Sequence, residues 1–386
     1  MLLSAPRPEE DARTGTSRAS SLGVRGRSTS EERLHRTVTT DQRHALIALN
    51  AELAVPRARL CSLARRILDH GALCARSAPE LAGSEAAARA LRHRDLLAGR
   101  EVERAETAGS SVVTILDADY PTELLDLDLP PPVLYIRGEL TRTSRLGIVG
   151  SRHADRWALA SAQQIAAAVA GAGFPVVSGF ALGVDIAAHR AAADAGETVA
   201  VLGCGLARPY PRQHHDFAET LARRGALITE FPLDANPKPQ NFPVRNRIIA
   251  ALSRCTLVVQ AARRSGALIT ARYAAELGRD VAALPGRPSD ARSAGANLLL
   301  RDGAHVVLEP ADALTLLGCE TSGETAEKGT PRNALLERIA ASPQSLDELV
   351  ESTGRSAADL QASLLDLEID GLIENVAGRW LRSPSN

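Results

Sequence analysis

The chain has 386 residues, which is enough for two or three domains with a substantial core. Its 45 Lys and Arg nearly balance its 46 Asp and Glu, so the net charge is close to zero. No run approaches the ~20 apolar residues of a membrane-spanning helix, and the polar N-terminal segment lacks an apolar signal-peptide core. We therefore expect no membrane partner.

The cysteines are odd in number and scattered along the chain. No pair has the spacing of zinc ligands, so the sequence predicts reduced thiols and no metal site. This pattern favours a cytoplasmic location. The residues concerned are Cys61, Cys74, Cys204, Cys255 and Cys319.

The first part of the chain divides into three segments. Residues 1–40 are polar, charged and without apolar periodicity, so we expect a disordered tail. Residues 41–108 place Leu60, Leu63 and Ile67 at helical spacing, which predicts a small helical domain. Residues 109–136 contain three consecutive prolines and are predicted to be a linker.

Residues 137–318 alternate short apolar runs with helical patterns. This alternation predicts an α/β domain with a parallel sheet covered on both faces, in which ligands bind beyond the carboxyl ends of the strands. The predicted strands cover 145–149, 175–178, 198–202, 226–229, 256–260, 280–284 and 304–307. The predicted helices cover 157–170, 184–195, 212–224, 244–252 and 267–277.

The last part of the chain has the pattern of a winged helix. Residues 319–331 form a polar linker, and residues 332–386 show helix, turn, helix and a hairpin-like end. The second helix, over 356–371, carries Asp359, Asp366 and Glu368, whose charge would repel phosphate. We therefore expect this module to bind a protein partner or itself rather than to read DNA.

One segment, NFPVRNRII at 241–249, combines an aromatic ring with two arginines at a predicted helix start. Helix N-termini attract phosphate, and Pro243 suits the first turn. Phe242 could stack on an exposed base while Arg245 and Arg247 neutralise backbone charge. This arrangement favours single-stranded nucleic acid, although a buried ring with two solvated arginines fits the same letters.

Glycine-bearing loops follow several predicted strands. Gly150, Ser151 and Arg152 follow the first strand, and Ser265 with Gly266 follows the fifth, where backbone donors and a guanidinium suit phosphate. None of these loops has the GxGxxG spacing of a dinucleotide site. Together they predict a surface that tracks a phosphate backbone.

Asp185 and His189 lie four residues apart on a predicted helix, where their side chains share one face. They could act as an acid and base couple. Alternatively, Asp185 favours the helix N-terminus and orients His189. We favour the structural role, because no nucleophile motif accompanies them.

These segments, in this order, resemble the DNA-processing protein A family, DprA or Smf. The matching stretches are GIVGSR at 147–152, SGFALGVDIAAH at 178–189, VLGCGLARPYP at 201–211, FPVRNRII at 242–249, SGALITA at 265–271, PG at 285–286 and GANLLLRDGA at 295–304. The resemblance extends loosely to 120–138 and to the C-terminal winged helix.

The resemblance implies an extended Rossmann-like core that binds single-stranded DNA, forms a homodimer and helps to load a RecA-type recombinase in natural transformation. It implies no catalytic residues and no cofactor. It assigns DNA contacts to Arg152, Phe242, Arg245, Asn246 and Arg247, with Lys238 as a weaker candidate. It assigns the shape of the groove to Gly150, Ser151, Gly183 and Gly266, and Ser265 is a further DNA-binding candidate. It equates residues 41–108 with a SAM-like or helix-hairpin-helix module.

An enzyme is the competing hypothesis. Nucleoside-monophosphate phosphoribohydrolases share a related fold and also grip phosphate at a helix start. They generally carry a PGGxGT-like loop with an acidic partner. Here the corresponding place reads SGALIT at 265–270, with no comparable acid. A ring beside arginines also fits a polymer better than a mononucleotide, so we favour the DNA-binding hypothesis.

Overall fold

The computed structural model describes residues 40–70, 84–319 and 335–383, without 337, 341, 370 and 377. The tail predicted over residues 1–40 and the linker predicted over 319–331 lie outside this part of the chain, apart from their boundary residues Thr40 and Cys319. Among the described helices, none is long and apolar enough to cross a membrane.

The first helices pack directly on the central sheet. They are α1 Thr40–Ala51, α2 Arg57–His70, α3 Glu85–Arg92 and α4 Arg94–Thr107. Leu46 of α1 and Leu60 of α2 are fully buried and share one apolar cluster with Tyr135 of the sheet. The helices predicted over residues 41–108 are present, but their core is continuous with that of the next domain.

Within the described residues, nine strands form the central sheet. In chain order they are β1 Ser111–Thr114, β2 Val133–Gly138, β3 Leu146–Val149, β4 Val176–Ser178, β5 Thr198–Val201, β6 Gly225–Thr229, β7 Cys255–Val258, β8 Asp280–Ala283 and β9 His305–Val306. Their spatial order is β1-β2-β6-β5-β4-β3-β7-β8-β9. In this spatial order, every pair of neighbouring strands from β6 to β9 is parallel. At the other edge, β1 pairs antiparallel with β2, and β2 pairs antiparallel with β6.

Helices cover both faces of this sheet, as predicted. They are α5 Arg156–Gly171, α6 Val184–Ala195, α7 His215–Arg223, α8 Asn241–Leu252, α9 Gly266–Glu276, α10 Ala294–Arg301 and α11 Pro310–Leu316. Successive strand residues point to opposite faces. Ile148 therefore joins an apolar cluster with Ile165 of α5, whereas Val149 joins the cluster that contains Ile248 of α8.

The segment predicted as a linker, residues 109–136, instead supplies β1 and β2. Val133 to Ile136 are all buried, and Tyr135 pairs with Thr229 in the antiparallel ladder to β6. The two strands are short and separated by Pro121 and the triple proline, so the sequence shows no long periodic run here. The sheet therefore begins at Ser111 rather than near residue 137.

The C-terminal module is a winged helix, as predicted. It contains β10 Gln344–Ser345, α12 Leu346–Thr353, α13 Ala357–Ile369, β11 Ile373–Val376 and β12 Arg379–Arg382, with the strands in the order β10-β12-β11. Ser345 and Glu348 form a capping box at the start of α12. Leu349, Leu360 and Leu364 are fully buried in a core that is separate from those of the sheet.

Candidate nucleic-acid interface

A cleft of about 680 Å³ opens beyond the carboxyl ends of β3 and β7. These two strands are neighbours in the sheet. After β3, the chain first adds β4, β5 and β6 on one side and then reverses to add β7, β8 and β9 on the other, so the strand order switches between β3 and β7. Such a switch point is where open α/β sheets bind their ligands. The cleft is therefore placed by the topology itself.

The loop after β3 forms one wall of the cleft. A Cβ atom added to Gly150 would lie 2.6 Å from Cγ2 of Val184, so this position has no room for a side chain. The Ser151 hydroxyl accepts a hydrogen bond from the His153 amide at 3.1 Å, which turns the loop. Arg152 is exposed, and its guanidinium carbon lies 5.6 Å from the centre of the Phe242 ring.

Gly183 packs behind this wall and does not line the cleft. Its φ of +80° lies in the left-handed region, and an added Cβ would lie 2.3 Å from the Ser151 carbonyl oxygen. Phe180 in the same loop also has a positive φ of 58°, with its ring buried against Phe217 at a centroid distance of 6.3 Å. The conformation of the loop is thus fixed before any ligand arrives.

Two aromatic rings meet at the mouth of the cleft. The Phe242 and Tyr210 centroids are 5.8 Å apart with an interplanar angle of 52°. Tyr210 is 46% exposed, so much of its ring is available. Gly203 allows this placement, because a Cβ there would lie 2.9 Å from Cδ1 of Phe242. Tyr210 was not predicted as a site residue, although an aromatic residue between Arg208 and Arg212 could have indicated one.

Arg245 lies at the floor of the cleft and is buried. Its guanidinium donates to the carbonyl oxygen of Gly179 at 2.5 Å and to that of Val201, and its Nε donates to Asn246 at 3.2 Å. Burial lowers the pKa of Arg245 to about 10, so the group stays positive at neutral pH. It can attract phosphate by charge, but several of its donors are already engaged.

Asn246 also lines the cleft, where it holds two elements together. Its side-chain oxygen accepts from Arg245, and its Nδ2 donates to the Gly266 carbonyl at 3.2 Å. The start of α9 is thereby fixed beside α8. The geometry gives Asn246 a positioning role at the site.

Arg247 does not line the cleft. It is 7% exposed and donates to both carboxylate oxygens of Glu230, at 2.5 and 2.9 Å. Its remaining contacts are the carbonyl oxygens of Leu129 and Val244 and the sulfur of Cys61. Although burial opposes it, the charge and hydrogen bonds of Glu230 raise the pKa of Arg247 above its usual value. The expectation of a DNA contact is thus replaced by a buried ion pair.

The loop after β7 forms the opposite wall. Ser265 caps α9, since its hydroxyl accepts from the Ala267 amide at 3.3 Å. Gly266 is the exposed first residue of that helix, and a Cβ there would meet no atom within 4 Å. Arg264 is exposed and lines the cleft as well, a residue that the sequence analysis did not single out. The helix start, this guanidinium and Arg152 all line the same opening.

Lys238 is exposed but does not line this cleft. It faces a second cavity on the other side of the segment that leads into α8. Lys238, which the resemblance implied as a weaker candidate for a DNA contact, therefore lies on a different surface from the cleft.

Asp185 and His189 are both buried, but the structure gives each its own partners. Asp185 accepts from the Ala181 amide at 3.3 Å, whereas the Nδ1 of His189 lies 2.6 Å from the Thr198 hydroxyl. Burial raises the pKa of Asp185 to about 6, against the opposing charge of Arg245. Burial and the same arginine lower the pKa of His189 to about 3. No hydrogen bond joins the two described side chains, so the expected direct pairing is replaced by two separate structural contacts.

The cleft is positive. Among the residues that the structure describes, three arginines line the cleft: Arg152, Arg245 and Arg264. One carboxyl group, that of Asp185, lines it as well. The same part of the chain contains no group of three His, Cys, Asp or Glu side chains suited to a metal ion. Burial raises the pKa of the Cys204 thiol to about 11, which favours its protonated form at neutral pH.

Two curated relatives match most of the chain. Protein Smf of Synechocystis sp. is 36% identical over 311 residues, which cover 68% of this chain and 77% of the relative. Protein Smf of Escherichia coli is 37% identical over 283 residues, which cover 68% of this chain and 75% of the relative.

A solved structure and two family models agree with these relatives. The X-ray structure of DNA processing protein A from Streptococcus pneumoniae matches 72% of this chain and 98% of its own, with a TM-score of 0.62 and 28% identity. The model for the DprA winged helix domain matches residues 320–379. The model for DNA recombination-mediator protein A matches residues 111–318, from the first strand of the sheet to the end of α11. The chain therefore belongs to the DNA recombination-mediator protein A family.

Proposed function

We propose that the cleft binds single-stranded DNA without strong sequence preference. The observation that carries this proposal is the cluster of Phe242, Tyr210 and Arg152 at the mouth of a positive cleft. Rings stack on any base, and guanidinium groups attract any phosphate, so neither contact depends on sequence. The bases of a duplex are already stacked on one another, so a single strand is the form that could use the rings.

The main chain adds to this attraction. The start of α9 at Gly266 is open to solvent and flanked by Arg264, and free amides at a helix start favour anions. Arg245 supplies further positive charge from the floor. A strand would thus place phosphates between Arg152 and Arg264 with bases toward the rings.

The experiment is a titration of fluorescent oligo-dT against variants of the full chain. Arg152→Ala should weaken binding and reduce the salt slope by about one phosphate. Phe242→Ala and Tyr210→Ala should each lose about 1–3 kcal/mol of binding free energy with little change in slope, and Tyr210→Phe should bind like the parent. Unchanged affinity in the three folded alanine variants would contradict the proposal.

We further propose that the bound strand is passed to a RecA-type recombinase, as in natural transformation. The support is membership of a family described as recombination mediators. The test measures RecA ATPase on single-stranded DNA precoated with single-strand-binding protein. The chain should shorten the lag, and Phe242→Ala should restore it. An unchanged lag at saturating protein would contradict this step.

We also propose a homodimer that forms across the edge strand β9. The strand ends the sheet, and its last residue, Val306, is 53% exposed. Leu308, two residues further along the chain, is 73% exposed. Edge strands with apolar side chains readily pair with another copy. Sedimentation should show a dimer that dissociates in Leu308→Asp but not in Leu96→Asp, an exposed leucine of α4. A monomeric parent chain would refute this arrangement.

Finally, we propose that the protein acts in the cytoplasm and that it binds without catalysis. Among the described residues that line the cleft, Asp185 supplies the carboxyl group. Asp185 is 6% exposed and accepts a hydrogen bond from the Ala181 amide, so its carboxyl group is poorly placed to activate water. The phosphoribohydrolase alternative requires base release from nucleoside monophosphates. Incubation of the protein with such nucleotides should release no base. If the parent releases base and Asp185→Asn does not, the result would support the phosphoribohydrolase hypothesis instead.

A further inference from the structure

A second cavity, of about 370 Å³, opens where the N-terminal helices meet the segment leading into α8. Leu53 and Val55, in the turn between α1 and α2, and Arg57, the first residue of α2, line it on one side. Lys238, Gln240 and Val244 line it from the sheet domain. Its volume falls within the range of about 300–1,000 Å³ that is typical of small-molecule sites.

The cavity and the cleft share one wall. Pro237, Pro239 and Phe242 face the cleft, whereas Lys238 and Gln240, which alternate with them, face the cavity. The wall is therefore one chain segment thick. A polymer that occupies the cleft need only cross this segment to enter the cavity.

The wall is held firmly. Asn241 donates from its backbone amide to the Lys238 carbonyl at 2.9 Å and from its side chain to the Gly203 carbonyl at 3.1 Å. These bonds tie the segment to the loop behind the Phe242 ring. A strand that crosses here meets a fixed surface, which reduces the entropy lost on binding.

The opposite side of the cavity is equally fixed. Arg57 donates to the backbone oxygens of Asn50 at 2.6 Å and Glu230 at 3.3 Å. The Asn50 side chain also donates to the Glu230 carbonyl, at 3.3 Å. Since Glu230 directly follows β6, these bonds fix the N-terminal helices to the sheet.

The chemistry of the lining matches a nucleic-acid strand. The charged side chains that line the cavity are Arg57 and Lys238, both cationic, among the residues that the structure describes. Leu53 and Val244, which are 62% and 39% exposed, offer apolar surface for a sugar or base. Asn236 and Gln240 add amide groups that can donate and accept hydrogen bonds.

We infer that this cavity is a second subsite for the same strand, occupied by nucleotides adjacent to those in the cleft. The inference rests on the proposed binding of single-stranded DNA. It gives the N-terminal helices a direct function, because Leu53 and Arg57 complete the subsite. The affinity for DNA then depends on strand length, since only a longer strand reaches both sites.

The experiment compares oligo-dT of about 4 and about 16 nucleotides, which span the range of single-strand site sizes. Lys238→Ala and Leu53→Asp should each weaken binding of the longer strand about tenfold and leave the shorter strand within about twofold. Lys238→Ala should also reduce the salt slope for the longer strand alone, by about one phosphate. Leu96→Asp and Arg301→Ala are the matched controls, because neither residue lines either cavity. Each variant is first compared with the parent by thermal unfolding, and Val244→Ala replaces any variant that fails to fold.

The outcomes separate the two proposals. Equal losses for both strand lengths, or unchanged affinity for the longer strand, would overturn the second subsite while leaving the cleft intact. Phe242→Ala provides the internal reference, since it should weaken both lengths. If Phe242→Ala leaves both unchanged, the binding function proposed for the cleft fails instead.

Discussion

Two arginines that are two positions apart in the sequence differ in what surrounds them. Arg245 reaches the floor of the cleft, whereas Arg247 points toward Glu230 and the N-terminal helices. Both lie on the well-formed helix α8, and each is less than a tenth exposed. The sequence identified the helix and the ring correctly but could not reveal which arginine has a buried carboxylate opposite it, because Glu230 is distant along the chain.

Arg247→Ala should therefore destabilise the fold rather than weaken DNA contacts. Removing one partner of a buried ion pair costs about 3–5 kcal/mol, because the other charge stays buried. Urea unfolding should show a loss of that size, while the folded fraction binds oligo-dT normally. Arg152→Ala is the matched control, since this arginine is exposed and should change binding but not stability. If Arg247→Ala instead weakens oligo-dT binding and leaves the unfolding free energy unchanged, the result would contradict a structural role for this ion pair.

Asp185 should make stability depend on pH in an unusual direction. Burial raises its folded pKa from 3.8 to about 6, so the folded state holds its proton more tightly than the unfolded state does. The stability it contributes is complete below about pH 4 and is lost as the pH rises through about 6, on the order of 3 kcal/mol in total. As the pH rises from about 4 to about 7, the parent loses this stability and Asp185→Asn does not. The variant should therefore become more stable relative to the parent over that range.

The measurement is the unfolding free energy of both proteins at pH 4 and pH 7. His189→Gln provides a control of opposite sign, because burial lowers the folded pKa of His189 to about 3. The stability due to neutral His189 is present above about pH 6.5 and is lost as the pH falls below it, so this variant should gain relative stability in acid. Differences that do not change with pH would contradict both assignments.

At the scale of elements, most of the parallel sheet was predictable. Helices α6 and α9 and all the parallel strands appear within a few residues of their expected bounds, because each combines an apolar run with a glycine-bearing turn. The strands β1 and β2 were not predicted, since they follow no βα alternation and pair antiparallel at an edge. Helices α10 and α11 were also unanticipated, as they are only eight and seven residues long.

The loop after β5 shows how an element positions a site residue. Gly203 lies under the Phe242 ring, and an added Cβ would lie 2.9 Å from Cδ1 of that ring. Gly203→Ala should push the ring out of place and weaken oligo-dT binding about tenfold, as loss of a stacking contact would. Thermal unfolding should change little, because the half-buried ring can move toward solvent. Gly99→Ala in α4 is the control, since a Cβ there also has open space and Gly99 does not line the cleft.

At the scale of the whole molecule, burial and pairing join the parts that the sequence separated. A small helical domain and a linker were expected before the core, yet Arg57 and Arg247 both donate to Glu230, and Arg247 also donates to Cys61. This set of contacts draws on residues more than a hundred positions apart, and no local pattern encodes it. The winged helix was predictable because its apolar spacing, capping box and turns are all local.

The winged helix should contribute to assembly or partnership rather than to strand affinity. Its helix α13 exposes Asp359, Asp366 and Glu368, and like charge repels phosphate. The same helix exposes Leu365 by 54% and Ile369 by 74%, four residues apart on one face. This apolar surface with acidic flanks suits a protein partner or another copy better than DNA.

Deleting residues 331–386 should therefore leave the affinity for oligo-dT within a few-fold of the parent. The rings and guanidinium groups of the cleft all lie before residue 319 and depend on a core that the winged helix does not share. The deletion should instead change the number of subunits that assemble, as seen by sedimentation, or the response of the recombinase. Titrations at two salt concentrations provide the measurement, with Leu365→Asp in the full chain as the control that retains the module. A hundredfold loss of affinity in a truncated protein that remains folded and equally oligomeric would show that the acidic module binds DNA directly.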